Sequence, residues 1–97
     1  MPALSEYSNV HNTALVILQR KGYQVWYDKK LDVYQAEKDG WDFMSPSPCG
    51  LLGVVAIFEE KKPTRFREYW WKEDAPDLYR NLPERPPRDY VPVFERK

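Results

Sequence analysis

The stretch YQVWYDKKLDVYQAEKDGWDF, residues 23–43, decides the fold. Asp39-Gly40, flanked by aromatic and β-branched residues, is the strongest short-range hairpin signal, because a two-residue type I′ turn needs positive φ at both central positions. That turn sets a register: Lys38 opposite Trp41, Glu37 opposite Asp42, Ala36 opposite Phe43 and Gln35 opposite Met44. With residues 29–32 as the preceding connection, Tyr27 lies opposite Tyr34 and Val25 opposite Ala36. Alternation then divides the side chains. Tyr23, Val25, Tyr27, Tyr34, Ala36 and Phe43, with Trp41 at the edge, form a core face. Gln24, Trp26, Asp28, Gln35, Glu37, Asp42 and Met44 form the other, which is polar except for Trp26 and Met44 on either side of Gln35.

Upstream, Ser5 or Ser8 is expected to cap a helix running to Lys21, with Gly22 as its left-handed stop. Val10, Ala14, Ile17, Leu18 and Lys21, widened by Leu15, follow one helical face. Downstream, Ser47-Pro48 reads as an N-cap with proline at the first helical position. This predicts a second helix over residues 48–60, with Leu51, Leu52, Val55, Ala56 and Glu59 at helical intervals. The β-prone residues Val54, Val55, Ile57 and Phe58 support a competing reading as a buried strand. Beyond Pro63, Thr64 opens an expected helical turn over residues 65–73, and residues 75–82 suggest another. The fold class is α+β: an N-terminal helix on a three-stranded antiparallel meander, a second apolar segment, and an irregular aromatic, proline-rich C-terminal region. That arrangement is shared by many unrelated adaptors, antitoxins and immunity proteins, so it points to no single function.

The chain has 97 residues, the length of one domain that buries roughly 65% of its unfolded surface. Five of its 9 prolines lie at or beyond Pro76, which divides a compact domain over residues 1–82 from an extended arm over 83–97. Tyr90, Val91, Val93 and Phe94 are available in that arm for docking. Its segment Pro83-Glu-Arg-Pro86-Pro87-Arg88 fits a polyproline II ligand pattern, but the pattern is short and frequent by chance, and a stiff spacer or docked arm is the preferred reading.

Fifteen basic residues balance fifteen acidic ones, so no overall field holds a polyanion or a membrane surface. The N-terminus lacks the pattern of a secretory signal, and no apolar run is long enough to span a bilayer. The lone Cys49 cannot form an intramolecular disulfide, and a soluble, cytoplasmic protein is expected. No repeat, metal-ligand spacing or phosphate-binding glycine loop is present, so no cofactor or metal is expected.

Three constellations carry potential chemistry. Glu37 and Asp42, paired across strands, suit acid-base work or a hard cation, but no third ligand is identifiable and two solvated carboxylates are the simpler reading. His11 and Cys49 are the only residues of their kinds. Cys49 at a helix N-terminus suits a nucleophile, yet nothing in the sequence brings His11 within its reach, so a structural cysteine and a surface histidine are expected. The run RFREYWWK, residues 65–72, interleaves cations with aromatics, as single-strand nucleic-acid binders do. The same residues serve protein interfaces. The preferred reading packs Phe66, Tyr69 and Trp70 onto the body while Arg65 and Lys72 snorkel, and neighbouring acids cancel the local charge.

Four Trp and seven Tyr are a surplus for so small a body, and amphipathic rings favour partner surfaces. The expected function is therefore a non-enzymatic interaction module that binds another protein or a second copy of itself. Trp26, Met44, Arg65, Trp70 and Trp71 are the candidate contacts. The alternatives are a small enzyme using Cys49 or the Glu37 and Asp42 pair, and a weak single-strand binder through residues 65–72.

Overall fold

The computed structural model describes residues 3–87 and Val91. The described chain divides into a unit spanning Ser5–Trp71 and a second unit holding the remaining residues of both ends. In the first unit the element order is α1 (Ser8–Arg20), β1 (Gln24–Asp28), β2 (Val33–Lys38), β3 (Trp41–Ser45) and α2 (Pro48–Lys61). The fold is α+β.

The strands form one antiparallel sheet in the order β1-β2-β3. The β2–β3 register is the one the Asp39-Gly40 turn dictates, Lys38 with Trp41 and Ala36 with Phe43, and the β1–β2 register is the one expected from a connection at 29–32, Val25 with Ala36 and Tyr27 with Tyr34. Asp39 and Gly40 have φ of 53° and 83°, the two positive values that a type I′ turn needs. A slip of one residue would turn the whole core face outward.

α1 ends as its glycine predicts. The Gly22 N–H donates to the Gln19 carbonyl and the Tyr23 N–H to the Leu18 carbonyl, with Gly22 at φ +94°. This is the paired arrangement of a Schellman stop. Leu18 and Tyr23 meet in the core just beyond it, so the stop also aims β1. The start of α1 departs from expectation. Neither Ser5 nor Ser8 caps it; Tyr7 occupies the N-cap without a side-chain hydrogen bond, and Ser8 lies inside the helix. Ala14 and Leu18 form the buried seam, with His11 half-buried on the same face.

Residues 48–61 are helical, as the Ser47-Pro48 signal indicates. Ser47 Oγ accepts a hydrogen bond from the Gly50 N–H at 2.9 Å, and Pro48 occupies the first turn. Leu51 and Val55 are fully buried. Phe58 joins them against the core, whereas Ala56, expected on that face, is exposed. α1 and α2 pack on each other, α2 covers β2 and β3, and α1 lies against β1. Both helices therefore share one face of the sheet. The core comprises Leu18, Tyr23, Ala36, Phe43, Leu51 and Val55.

Residues 68–71 form a turn, closed by the Trp70 N–H on the Arg67 carbonyl, in place of the helical turn expected over 65–73. Tyr69 has φ 58°, which breaks a right-handed helix. In the second unit, helix α3 is limited to Leu78–Asn81 and is capped by Asp77 Oδ1, which accepts from the Arg80 N–H. The expected docking residues Tyr90, Val93 and Phe94 lie outside the described residues, as does Arg88 of the proline-rich pattern.

Candidate binding surface on the outer sheet face

The outer face is built by strand alternation. Its side chains form three cross-strand rows: Gln24, Glu37 and Asp42; then Trp26, Gln35 and Met44; then Asp28 and Val33. Within the Ser5–Trp71 unit no helix packs on this side. Trp26 is 44% exposed and Met44 52% exposed, so the central row presents an indole and a thioether to either side of the Gln35 amide. A shallow depression of about 220 Å³ is lined by Trp26, Gln35, Ala36, Asp42, Phe43 and Met44. Small-molecule sites typically occupy about 300–1,000 Å³. This depression is smaller than that and suits one inserted side chain.

The ionisable groups of the outer face are Asp28, Glu37 and Asp42, all acidic. The nearest basic strand residue, Lys38, points to the other side: its Nζ donates to the Lys21 carbonyl at 2.7 Å and lies 5.1 Å from the centre of the Tyr23 ring. It thereby neutralises the C-terminal end of α1 and makes a cation-π contact with Tyr23. A row of two apolar side chains whose charged neighbours on the outer face are all acids disfavours a polyanion and favours a cationic, aromatic or aliphatic ligand. Glu37 and Asp42 are neighbours, as the register requires.

The three C-terminal candidates occupy different environments. Trp70 is half-buried, its ring 5.5 Å from Trp41 and 6.0 Å from Phe58. Together with the Trp41–Phe58 and Phe43–Phe58 contacts, it extends the core into an aromatic cluster at the turn-side end of β3. Trp71 is 51% exposed and meets Tyr69 edge-on at 5.8 Å. Arg65 is exposed and lines an open groove with Trp41, Phe66 and Trp70. Phe66 and Tyr69, expected to pack down, are both solvent-exposed. The turn at 68–71 gives up the helical spacing that would have placed them beside Trp70.

Tyr23 marks the boundary between core and surface. Its ring is buried and its hydroxyl donates to Glu59 Oε2 at 3.3 Å, while Lys21 Nζ binds Glu59 Oε1 at 2.9 Å. Burial first, then the Glu59 charge, pushes the Tyr23 phenol up to about 12. On the exposed Tyr27 the phenol is also raised, principally by its hydrogen bond to Asp32. Neither group approaches the range needed for acid-base work near neutrality.

Two features escape the sequence reading. The first is the surface of α2: no charged side chain occurs from Pro48 to Phe58, and Gly53, Ala56 and Ile57 are exposed, Ile57 by 48%. The uninterrupted apolar run carries that signal, since a helix apolar on all sides buries more than one face. The second corrects the placement of His11. Packing of α1 on α2 brings His11 and Cys49 together, with Glu6 beside them, and one donor atom from each lies within 4.8 Å of the others. Neither residue is isolated in the way the sequence suggests.

No helix among the described residues is long and apolar enough to cross a membrane. Comparison of the chain with protein-family models, with curated proteins and with solved structures gives no match.

Proposed function

We propose that this chain is a non-enzymatic protein-binding module that works through the outer face of its sheet. The observation that supports this most directly is the row Trp26, Gln35 and Met44: two large apolar side chains about half-exposed, around an amide, with acids on both flanks. Exposing an indole next to a thioether costs solvation energy that the fold does not recover, whereas a partner side chain would recover it. The shallow depression takes a single aromatic or aliphatic anchor, and Asp28, Glu37 and Asp42 select basic residues beside it. The partner segment is therefore an extended or helical peptide with one large apolar side chain between lysines or arginines.

The test is tryptophan fluorescence and amide chemical-shift mapping with synthetic peptides that carry one aromatic residue between basic or acidic neighbours. Basic peptides should shift residues of β1, β2 and β3 on the outer face, acidic ones should not, and Met44→Glu should abolish the effect while the inner-face resonances stay in place. Equal response to both peptide charges, or shifts confined to other surfaces, would remove this reading. A second copy of the chain is the alternative occupant, and light scattering of the full chain reads it directly.

A further inference from the structure

Glu6, His11 and Cys49 come from separate places in the chain, one ahead of α1, one in its second turn and one in the first turn of α2. Their donor atoms nevertheless converge, each within 4.8 Å of the other two. A second observation concerns His11 itself. Its Nδ1 is shielded from solvent and has no hydrogen-bond partner, and Glu6 Oε2 lies 3.9 Å away. A buried ring nitrogen left without a partner loses its hydration for nothing in return. A cation between the imidazole and the carboxylate would supply the missing partner.

We propose that Glu6, His11 and Cys49 bind a divalent cation of the zinc class. The donor set decides the class. A thiolate, an imidazole and a carboxylate together match zinc and its neighbours in softness, whereas calcium and magnesium take oxygen donors. Bonds near 2.0 Å to nitrogen and oxygen and near 2.3 Å to sulfur set tetrahedral donor separations of about 3.3–3.6 Å. The donors need to close by up to about an ångström to reach those separations, and the Glu6 side chain, 53% exposed ahead of the helix, is free to adjust. His11 and Cys49 are brought together by the packing of α1 on α2. Three protein donors leave a fourth coordination position for water or an exogenous ligand. Binding would tie the segment ahead of α1 to the start of α2. This site lies on the helical side of the sheet and does not depend on the outer-face reading.

Cobalt is the spectroscopic probe. Titration of the full chain with Co²⁺, in the presence of a non-chelating phosphine reductant, should produce a thiolate-to-cobalt charge-transfer band in the near ultraviolet and intense tetrahedral d–d bands in the visible. Zn²⁺ should displace both. Cys49→Ser should abolish the charge-transfer band, and His11→Gln should weaken Co²⁺ binding at least tenfold, since even outer-shell changes at such sites cost about 10- to 100-fold. Absence of a thiolate band at millimolar Co²⁺, or a band that survives His11→Gln at unchanged affinity, would overturn the proposal. If circular dichroism shows that His11→Gln fails to fold, the unaltered chain decides. Protection of Cys49 from iodoacetamide by Zn²⁺, reversed by a chelator, would support the site, and unchanged alkylation would refute it.

Discussion

The two faces of the sheet are made by the same strands in the same register, yet their surroundings are opposite. The inner face stacks Tyr23, Ala36 and Phe43 against Leu18, Leu51 and Val55, and all six are buried. The outer face sets Trp26 and Met44 in solvent among acids. Alternation alone thus separates residues that hold the fold from residues left in solvent, one position apart along each strand. The contrast is quantitative, because a buried aromatic contributes far more to stability than a half-exposed one.

Its largest expression is Phe43. The ring lies 5.9 Å from Tyr23 and 5.1 Å from Phe58, both edge-on, and is 5% exposed. Phe43→Ala removes these contacts and leaves a cavity between sheet and α2, at a cost of about 3–5 kcal/mol. A domain of this size has about 5–15 kcal/mol to lose, so urea denaturation should show either a large fall in midpoint or no cooperative transition. A midpoint close to the parent's would mean that the inner face is not the core.

Next is Tyr23, at the rim of that face. Its phenol is pushed up to about 12 in the folded chain, against about 10 in the unfolded chain. The folded state therefore holds the proton more tightly. The resulting stabilisation is fully present below pH 10 and is lost as pH rises through 12. Urea midpoints measured from pH 9 to 12 should fall steeply for the parent and less steeply for Tyr23→Phe. Equal slopes would assign alkaline unfolding to other groups.

α2 allows a comparison within one helix. At Gly50 an added methyl group would overlap Ser45 Oγ and come within 3.0 Å of Ser47 Oγ, the N-cap oxygen; at Gly53 it would meet nothing within 4 Å. Ala is preferred over Gly in helices by about 1 kcal/mol, while crowding a packed site costs about 1–3 kcal/mol. Gly50→Ala should therefore destabilise by up to about 2 kcal/mol and Gly53→Ala should stabilise by up to about 1 kcal/mol, both read from thermal melts. Opposite signs are the expected result, and equal signs would contradict the close packing of β3 on the start of α2.

How much of this was legible in the sequence follows from how local each determinant is. The Asp39-Gly40 turn, the Gly22 stop and the Ser47-Pro48 start are each written in two or three residues, and they carry the sheet register and both helices. The outer row of Trp26, Gln35 and Met44 follows from that register by alternation. The proximity of His11 to Cys49 is different, since it depends on the rotation of α1 against α2. The periodicity of α1 leaves that angle open: His11, Ala14 and Leu18 fit a helical face about as well as Val10, Ala14 and Ile17. Residues 65–71 also resist reading, because aromatic and cationic residues suit helix, turn and surface alike. There the left-handed Tyr69 set the outcome.

The smallest expected effect on stability is the most informative for function. Trp26→Thr and Met44→Thr place a β-branched, strand-favouring residue at each position and remove only half-exposed surface, so each should cost under about 1 kcal/mol. If the outer face is a binding surface, the same changes should weaken a basic, aromatic-anchored peptide by tenfold or more, the loss expected when an interface anchor is truncated. Folding and binding would then separate cleanly between the two faces. A loss of several kcal/mol in stability from Trp26→Thr would instead mean that the indole supports the sheet itself, and the distinction between a holding face and a working face would fail at its central residue.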